Sequence, residues 1–242
     1  MRFQIPFLSR WHPVLALRYL PMVQCIREYT DPVVVEIGSG GLGIGPYLKQ
    51  PFVGVDLTFD PPLSPHLTPL NGSALDIPLK SEFADVVVSS DMLEHIPATK
   101  RQQAINELFR ISKKCIIIGV PIGKMASKQD KELDTLFRHV HHQPHPFLAE
   151  HVTNGLPEQS DIEAYIAASA KKYNRQYHLT VIPNQNLSLR RWLMEGWVSQ
   201  NLLVNIFFRK ILLLAIPLMR HLNQPPTYRL LFVIRIKSVA TM

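Results

Sequence analysis

The chain has little cysteine: two residues among 242, Cys25 and Cys115, in apolar contexts that suit a helix and a strand. That excludes a disulfide framework and fits reduced, buried thiols, hence a cytoplasmic protein. It shows no internal repeat and no low-complexity tract, and its length suits one sizeable α/β domain, 1–242. The N-terminus lacks an uninterrupted apolar run, because Arg2, Pro6, Arg10 and His12 break it, and this speaks against a signal peptide. Acidic residues almost vanish in the last third. Up to Ala170, 15 Lys/Arg stand against 18 Asp/Glu; from Lys171 onward, 11 stand against Glu195 alone. The net charge of +7 therefore belongs to the C-terminal third, where it suits an anionic membrane, a nucleic acid or a phosphorylated substrate, or is simply a solvated face. No aromatic platform spaced as in a nucleic-acid module accompanies it, so nucleic acid is not the expected partner.

Glycine is also scarce, at 11 residues, but four of them fall together at Gly38, Gly40, Gly41 and Gly43. They close the stretch VVVEIGSGGLG, Val33 to Gly43, which reads as a buried strand breaking into a tight turn before a helix. Such a turn lets backbone approach a ligand, and the helix after it presents N–H groups to a polar or anionic ligand group. The spacing alone also satisfies the GxGxxG of a dinucleotide site. Glu36 tips the balance: a pyrophosphate gains nothing from that charge, whereas a cationic cofactor such as S-adenosylmethionine does. A short helix, Ile44 to Lys49, then leads to a second strand, Phe52 to Val55, ending at Asp56 and Leu57. An acid there suits a ribose diol in either cofactor class.

Residues 1–30 read as a helical cover, with an amphipathic helix from Val14 to Tyr29 that contains Pro21 and lies over the sheet edge. After a proline-rich loop, Asp60 to Pro69, come a weak third strand near Leu67 to Leu70 and a fourth, Ala84 to Val88. Ser90 and the polar turn with Asp91, Glu94 and His95 follow, at the sheet edge where open α/β folds bind ligands. Thr99 to Gln102 reads as a capping box for a helix to about Ser112, ended by Lys113 and Lys114, and Cys115 to Val120 as a fifth strand.

The succession VVVEIGSGGLG, VGVDL, GSALDIPL, FADVVVSSDMLEHI and CIIIGVP resembles the core of class I S-adenosylmethionine-dependent methyltransferases, in the group with ubiquinone and menaquinone biosynthesis enzymes. The resemblance covers about residues 30 to 122. It implies a Rossmann-like, seven-stranded, mostly parallel sheet with helices on both faces, its last strand antiparallel and slotted between strands five and six. It also implies that Glu36, Gly38, Ser39 and Gly40 form the first cofactor motif, that Asp56 holds the ribose, and that Ala74 and Leu75 flank the adenine. Where the family often has Gly-Asp-Ala this chain has Gly72, Ser73 and Ala74, so the adenine amino group falls to the Ser73 hydroxyl or to Asp76. The family's third glycine falls on Leu42 and is displaced to Gly43. The competing readings are a nicotinamide oxidoreductase, whose catalytic signatures are missing, and a non-catalytic S-adenosylmethionine-binding protein.

Residues 123–175 form a His-rich connection and a helix capped by Ser160 and Glu163. Arg138 to Pro157 holds His139, His141, His142, His145 and His151, but no cysteine joins them, the spacing matches no zinc pattern, and Pro144 and Pro146 break any helical face; no metal site is expected. His145 and His151 are the candidate general bases for a hydroxyl acceptor. In 176–242, a sixth strand, Tyr177 to Ile182, and a seventh, Tyr228 to Ile236, flank an insertion at 187–223 too long for a hairpin loop. Its segment Asn201 to Leu222 nearly reaches the length of a membrane span, but Asn205, Arg209, Lys210 and Pro217 interrupt it. A packed lid is preferred over peripheral membrane contact. Asn186 and Ser188 form a glycosylation sequon that a cytoplasmic protein would not use. The expected activity is O- or C-methylation of a small hydrophobic or anionic acceptor, lipid-like or glycosylated.

Overall fold

A computed structural model of the protein describes residues 13–237; the signal-peptide reading falls on residues outside them. The strands are β1 (Val34–Ile37), β2 (Phe52–Asp56), β3 (Leu67–Asn71), β4 (Ala84–Ser90), β5 (Ser112–Pro121), β6 (Tyr177–Asn186) and β7 (Thr227–Ile236). They form one sheet in the order β3-β2-β1-β4-β5-β7-β6. The first five pair in parallel and β7 runs antiparallel to both β5 and β6. This is the mixed sheet expected, with its reversed last strand between the fifth and sixth.

Parallel strands covered on both faces need apolar residues at every position, which is why β1 and the centres of β4 and β5 read as unbroken Val and Ile runs. Successive residues point to opposite faces. Val34, Val86, Val88, Ile117 and Val233 face α1 (Pro13–Ile26), whereas Val35, Ile37, Val87, Ile116 and Phe232 face α3 (Arg101–Ile111) and α6 (Gln159–Lys172). Each such side chain contributes roughly 1.5–3 kcal/mol on burial. These layers therefore hold the sheet edge rigidly beneath the loops. The remaining helices are α2 (Gly45–Leu48), α4 (Gly123–His141), α5 (Pro146–Asn154), α7 (Leu187–Val198), α8 (Leu202–Arg209) and α9 (Ile216–Met219).

Several local expectations are corrected. α1 packs on a face of the sheet rather than over its edge, burying Leu17, Met22 and Ile26. Thr99 lies in a 3-10 turn, Ala98–Lys100, and α3 starts at Arg101 without a side-chain cap, so the capping box does not form. Lys113 and Lys114 do not end α3; they lie in β5, where Lys114 pairs with Asp85 at 3.0 Å. The cap of α6 is Glu158 with Asp161, ahead of Ser160 and Glu163. β6 continues through Pro183, which an edge strand tolerates because the missing N–H leaves no ladder bond unmade. Asn186 accepts from the Ser188 and Leu189 N–H groups and so caps α7. Both cysteines are free and buried.

Candidate active site

At the carboxyl edge of β1, β2 and β4 lies a cavity of about 970 Å³. Ligand pockets run to roughly 1,000 Å³, so this one has room for a nucleoside cofactor together with a second small molecule. Because β7 is reversed, its first residues, Tyr228 and Arg229, reach the same edge and join the lining.

Gly38, Ser39, Gly40, Asp56, Leu57, Ser73, Ala74, Leu75 and Ser90, all expected at the cofactor, line one half of this cavity. Gly38 turns at φ +78°, where an added Cβ would stand 2.8 Å from Met92 Cγ, and Gly40 turns at φ +54° with open space where its Cβ would be. The Asp56 carboxylate accepts from the Gly40 and Leu57 N–H groups, each at 2.7 Å, one on each oxygen. A carboxylate oxygen carries a second lone pair, so both can still accept ribose hydroxyls. Ser73 Oγ accepts from the Leu75 N–H at 3.1 Å, and Ser90 Oγ is buried with no protein partner, aimed at the same space.

Two expected residues lie elsewhere. Asp76 is exposed and outside the cavity wall, so of the two adenine candidates Ser73 is the one in place. Glu36 is completely buried beneath the loop; its Oε2 accepts the Ile44 N–H at 2.7 Å, and a Cβ on Gly43 would stand 2.2 Å from that oxygen. Burial raises its pKa to about 8, against the Ile44 hydrogen bond, so Glu36 shapes the loop rather than presenting a bare charge to the ligand. This also weighs against a dinucleotide. The N–H groups of Gly38, Gly40 and Ile44 already donate to Val55 O, Asp56 and Glu36, and α2 is only one turn long, so a pyrophosphate finds acids and few amides.

The other half of the cavity is made of long side chains from distant parts of the chain. Arg18 on α1 bonds Asp91 at 2.7 Å, and Arg229, which also bonds Asn184 and Gln185, grips the same carboxylate. Although burial alone would raise it, these two guanidinium groups hold the Asp91 pKa down at about 2. Asp130 on α4 accepts from Arg190 at 2.7 Å and Tyr228 Oη at 3.0 Å, and pairs with His151 Nδ1 at 2.8 Å. His145 sits in an aromatic wall, against Phe137, Phe147 and Trp197, and burial lowers its pKa. His95 pairs its Nδ1 with Glu150 at 2.5 Å, yet burial still lowers its pKa.

Beneath His95 and His151 lies Glu94, fully buried, with neither carboxylate oxygen bonded to another of the described residues. Burial and the nearby Asp91 push it well above the usual carboxylate range. His151 Nε2 stands 3.8 Å from Glu94 Oε1 and also has no hydrogen-bond partner among the described residues. Sequence reading placed Asp91, Glu94 and His95 at the ligand edge without giving them a role, and missed Arg18, Asp130, Arg190, Tyr228 and Arg229. The amphipathic spacing of Ala126, Gln129, Leu133 and Phe137 was the signal for α4, whose buried stripe carries Asp130 inward.

Sheet order, the loop after β1 and the Asp56 cradle define a class I methyltransferase fold. Residues 35–115 match the family model described as a methyltransferase domain. A search of curated proteins finds no match. Among solved structures the chain is similar to an S-adenosylmethionine-dependent methyltransferase from Thermotoga maritima, described as a possible histamine N-methyltransferase, with 14% identity, TM-score 0.54, and 96% and 92% of the two chains covered. It is similar to the plantazolicin methyltransferase BpumL, solved with a desmethyl-plantazolicin analog and S-adenosylhomocysteine, with 12% identity, TM-score 0.52, and 96% and 84% covered. It is also similar to the small RNA methyltransferase HEN1, with 13% identity and TM-score 0.54, across 98% of this chain but 27% of that one. At these identities the likeness is one of fold. Together with the methyltransferase domain matched at residues 35–115, it supports reading the chain as an S-adenosylmethionine-dependent methyltransferase.

Proposed function

We propose that the protein methylates a hydroxyl group on a small acceptor with a hydrophobic body, drawn from a membrane surface on the cytoplasmic side. The observation that carries this reading is the two-part cavity: a glycine and carboxylate cradle on one side, an aromatic and histidine-lined chamber on the other. S-adenosylmethionine supplies a methyl carbon already activated by its sulfonium; the acceptor oxygen provides the pair for the new C–O bond, and the C–S pair stays on sulfur. Asp56, Ser73 and Ser90 would hold the cofactor. Phe147, Trp197 and His145 would clasp the acceptor's apolar body, and the hydroxyl would point to the polar end at Glu94, His95 and His151, which takes its proton. Holding the oxygen in line with the methyl carbon and excluding water is then most of the catalysis.

The insertion supports the membrane part. α7 lines the cavity through Arg190, Met194 and Trp197. Beyond it, Leu202–Met219 is long and apolar enough to cross a membrane, but only 17% of that stretch is buried. A packed lid therefore suits α7, whereas membrane contact suits this segment, where α8 has no buried residue. The helix breaks at Lys210, so it is not a continuous span. Leu203, Phe207, Leu214 and Leu218 are exposed beside the basic Arg209 and Lys210, as in a helix lying at an anionic interface. Carbon as acceptor atom is the second reading.

The test compares cells with and without the protein, extracting lipids and polar metabolites and searching for pairs differing by one methylene. A methylated, organic-soluble product that disappears with the protein is expected. A product confined to RNA would overturn the acceptor assignment.

A further inference from the structure

Outside the cofactor cradle, one carboxylate is shut away from water without a side-chain partner among the described residues. Glu94 is 0% exposed, and among the described residues no other residue hydrogen-bonds either of its oxygens. An unpartnered buried carboxylate is costly, and proteins normally pair it or use it to bind a cation. Two imidazoles converge on the same point. One ligand atom from each of Glu94, His95 and His151 can be chosen so that all lie within 4.8 Å of one another.

The outer contacts orient both rings. His151 pairs its Nδ1 with Asp130 at 2.8 Å, leaving Nε2 toward Glu94, and Asp130 is itself fixed by Arg190 and Tyr228. His95 pairs its Nδ1 with Glu150 at 2.5 Å, leaving Nε2. A carboxylate behind each imidazole is the arrangement that fixes tautomer and ring direction in metal-ligating histidines. The supporting loop is pinned as well: Arg101 bonds the carbonyls of Leu93, Ile96 and Asn154, and Asn154 bonds that of His95, tying the turn after β4 to the end of α5.

We infer that Glu94, His95 and His151 bind one divalent transition-metal ion whose open positions face the acceptor half of the cavity. Two imidazoles and one carboxylate suit ions of the zinc and manganese kind, and three protein ligands leave room for an oxygen of the acceptor. This rests on the methyl-transfer reading above and deepens it by naming the acceptor as a hydroxyl that coordinates a cation. The ion would hold that oxygen and acidify its proton, which passes to the oxygen of Glu94 that the ion does not use. His139, His141, His142 and His145 of the histidine-rich connection do not belong to this group, and the partner of His151 is a Glu-His pair 56 residues earlier.

The test uses the full chain, stripped with a chelator and titrated with Mn²⁺ and then Zn²⁺ in the presence of S-adenosylhomocysteine. One ion per chain is expected, with pulsed electron paramagnetic resonance of the Mn²⁺ form showing two imidazole nitrogens. Glu94→Gln or His151→Ala should abolish uptake, Asp130→Asn should weaken it by about 10–100-fold, and His139→Ala with His142→Ala should leave it unchanged. The spectrum of the wild type needs no variant, so a variant that fails to fold does not blunt the test. No uptake, or uptake without two nitrogens, while S-adenosylhomocysteine still binds, would overturn the metal site and leave the methyltransferase reading standing. Failure to bind S-adenosylhomocysteine would instead overturn that reading.

Discussion

The two halves of the cavity are built by different means. The cofactor half uses backbone and small side chains from one run of sequence, Gly38 to Ser90, each at the end of a parallel strand. The acceptor half uses Arg18, His95, His151, Arg190, Trp197 and Arg229, brought together from α1, the turn after β4, α5, α7 and β7. A chemically constant ligand can be met by fixed backbone geometry, whereas an individual acceptor needs long side chains whose identity can change without disturbing the sheet. The two halves should therefore fail independently.

The largest effect is expected in the acceptor half. His151→Ala should lower methyl transfer from labelled S-adenosylmethionine into a membrane extract by about 10²–10⁴-fold, with S-adenosylhomocysteine affinity unchanged. Equal loss of affinity would break the division. The mirror experiment is Asp56→Ala, which removes a charged acceptor from the Gly40 N–H and from the ribose. Its loss should weaken S-adenosylhomocysteine binding by roughly 100-fold, about 3 kcal/mol for two charge-assisted hydrogen bonds.

A third expectation concerns pH. The Glu36 carboxyl is raised from 4.5 to about 8 by burial, so the folded state binds its proton more tightly than the unfolded chain does. Its contribution to stability is complete below about pH 4.5 and is lost as pH rises toward 8. Chemical denaturation across that window should show a decline on the order of a few kcal/mol, and Glu36→Gln should flatten it. An unchanged slope in the variant would assign it to other groups.

Smaller still, Gly38→Ala must place a Cβ at positive φ against Met92 and should cost about 1–3 kcal/mol of stability. Smallest is a pair of exposed changes, Leu203→Ser and Leu214→Ser. Stability should move by less than about 0.5 kcal/mol, while flotation with anionic vesicles at low salt is lost. Retained flotation would place the membrane contact elsewhere.

Legibility in the sequence follows the same division. The cofactor half was readable because each contact is local: the glycines, Asp56 and the Ser73 turn lie within a few residues of a strand end. The acceptor half was not, since pairing Asp130 with His151 and Asp91 with Arg229 depends on how α4 and the reversed β7 fold back. Even in the readable half the role of Glu36 was misjudged. The position of an acid at a strand end does not reveal that the residue after it in space, Ile44, takes its oxygen.

The most direct test of the central claim is calorimetric titration with S-adenosylhomocysteine, with NADH as the control ligand. The account predicts one site of micromolar affinity, weakened roughly 100-fold in Asp56→Ala, kept in His151→Ala, and indifferent to NADH. No binding below millimolar, or NADH competing for the same site, would contradict it.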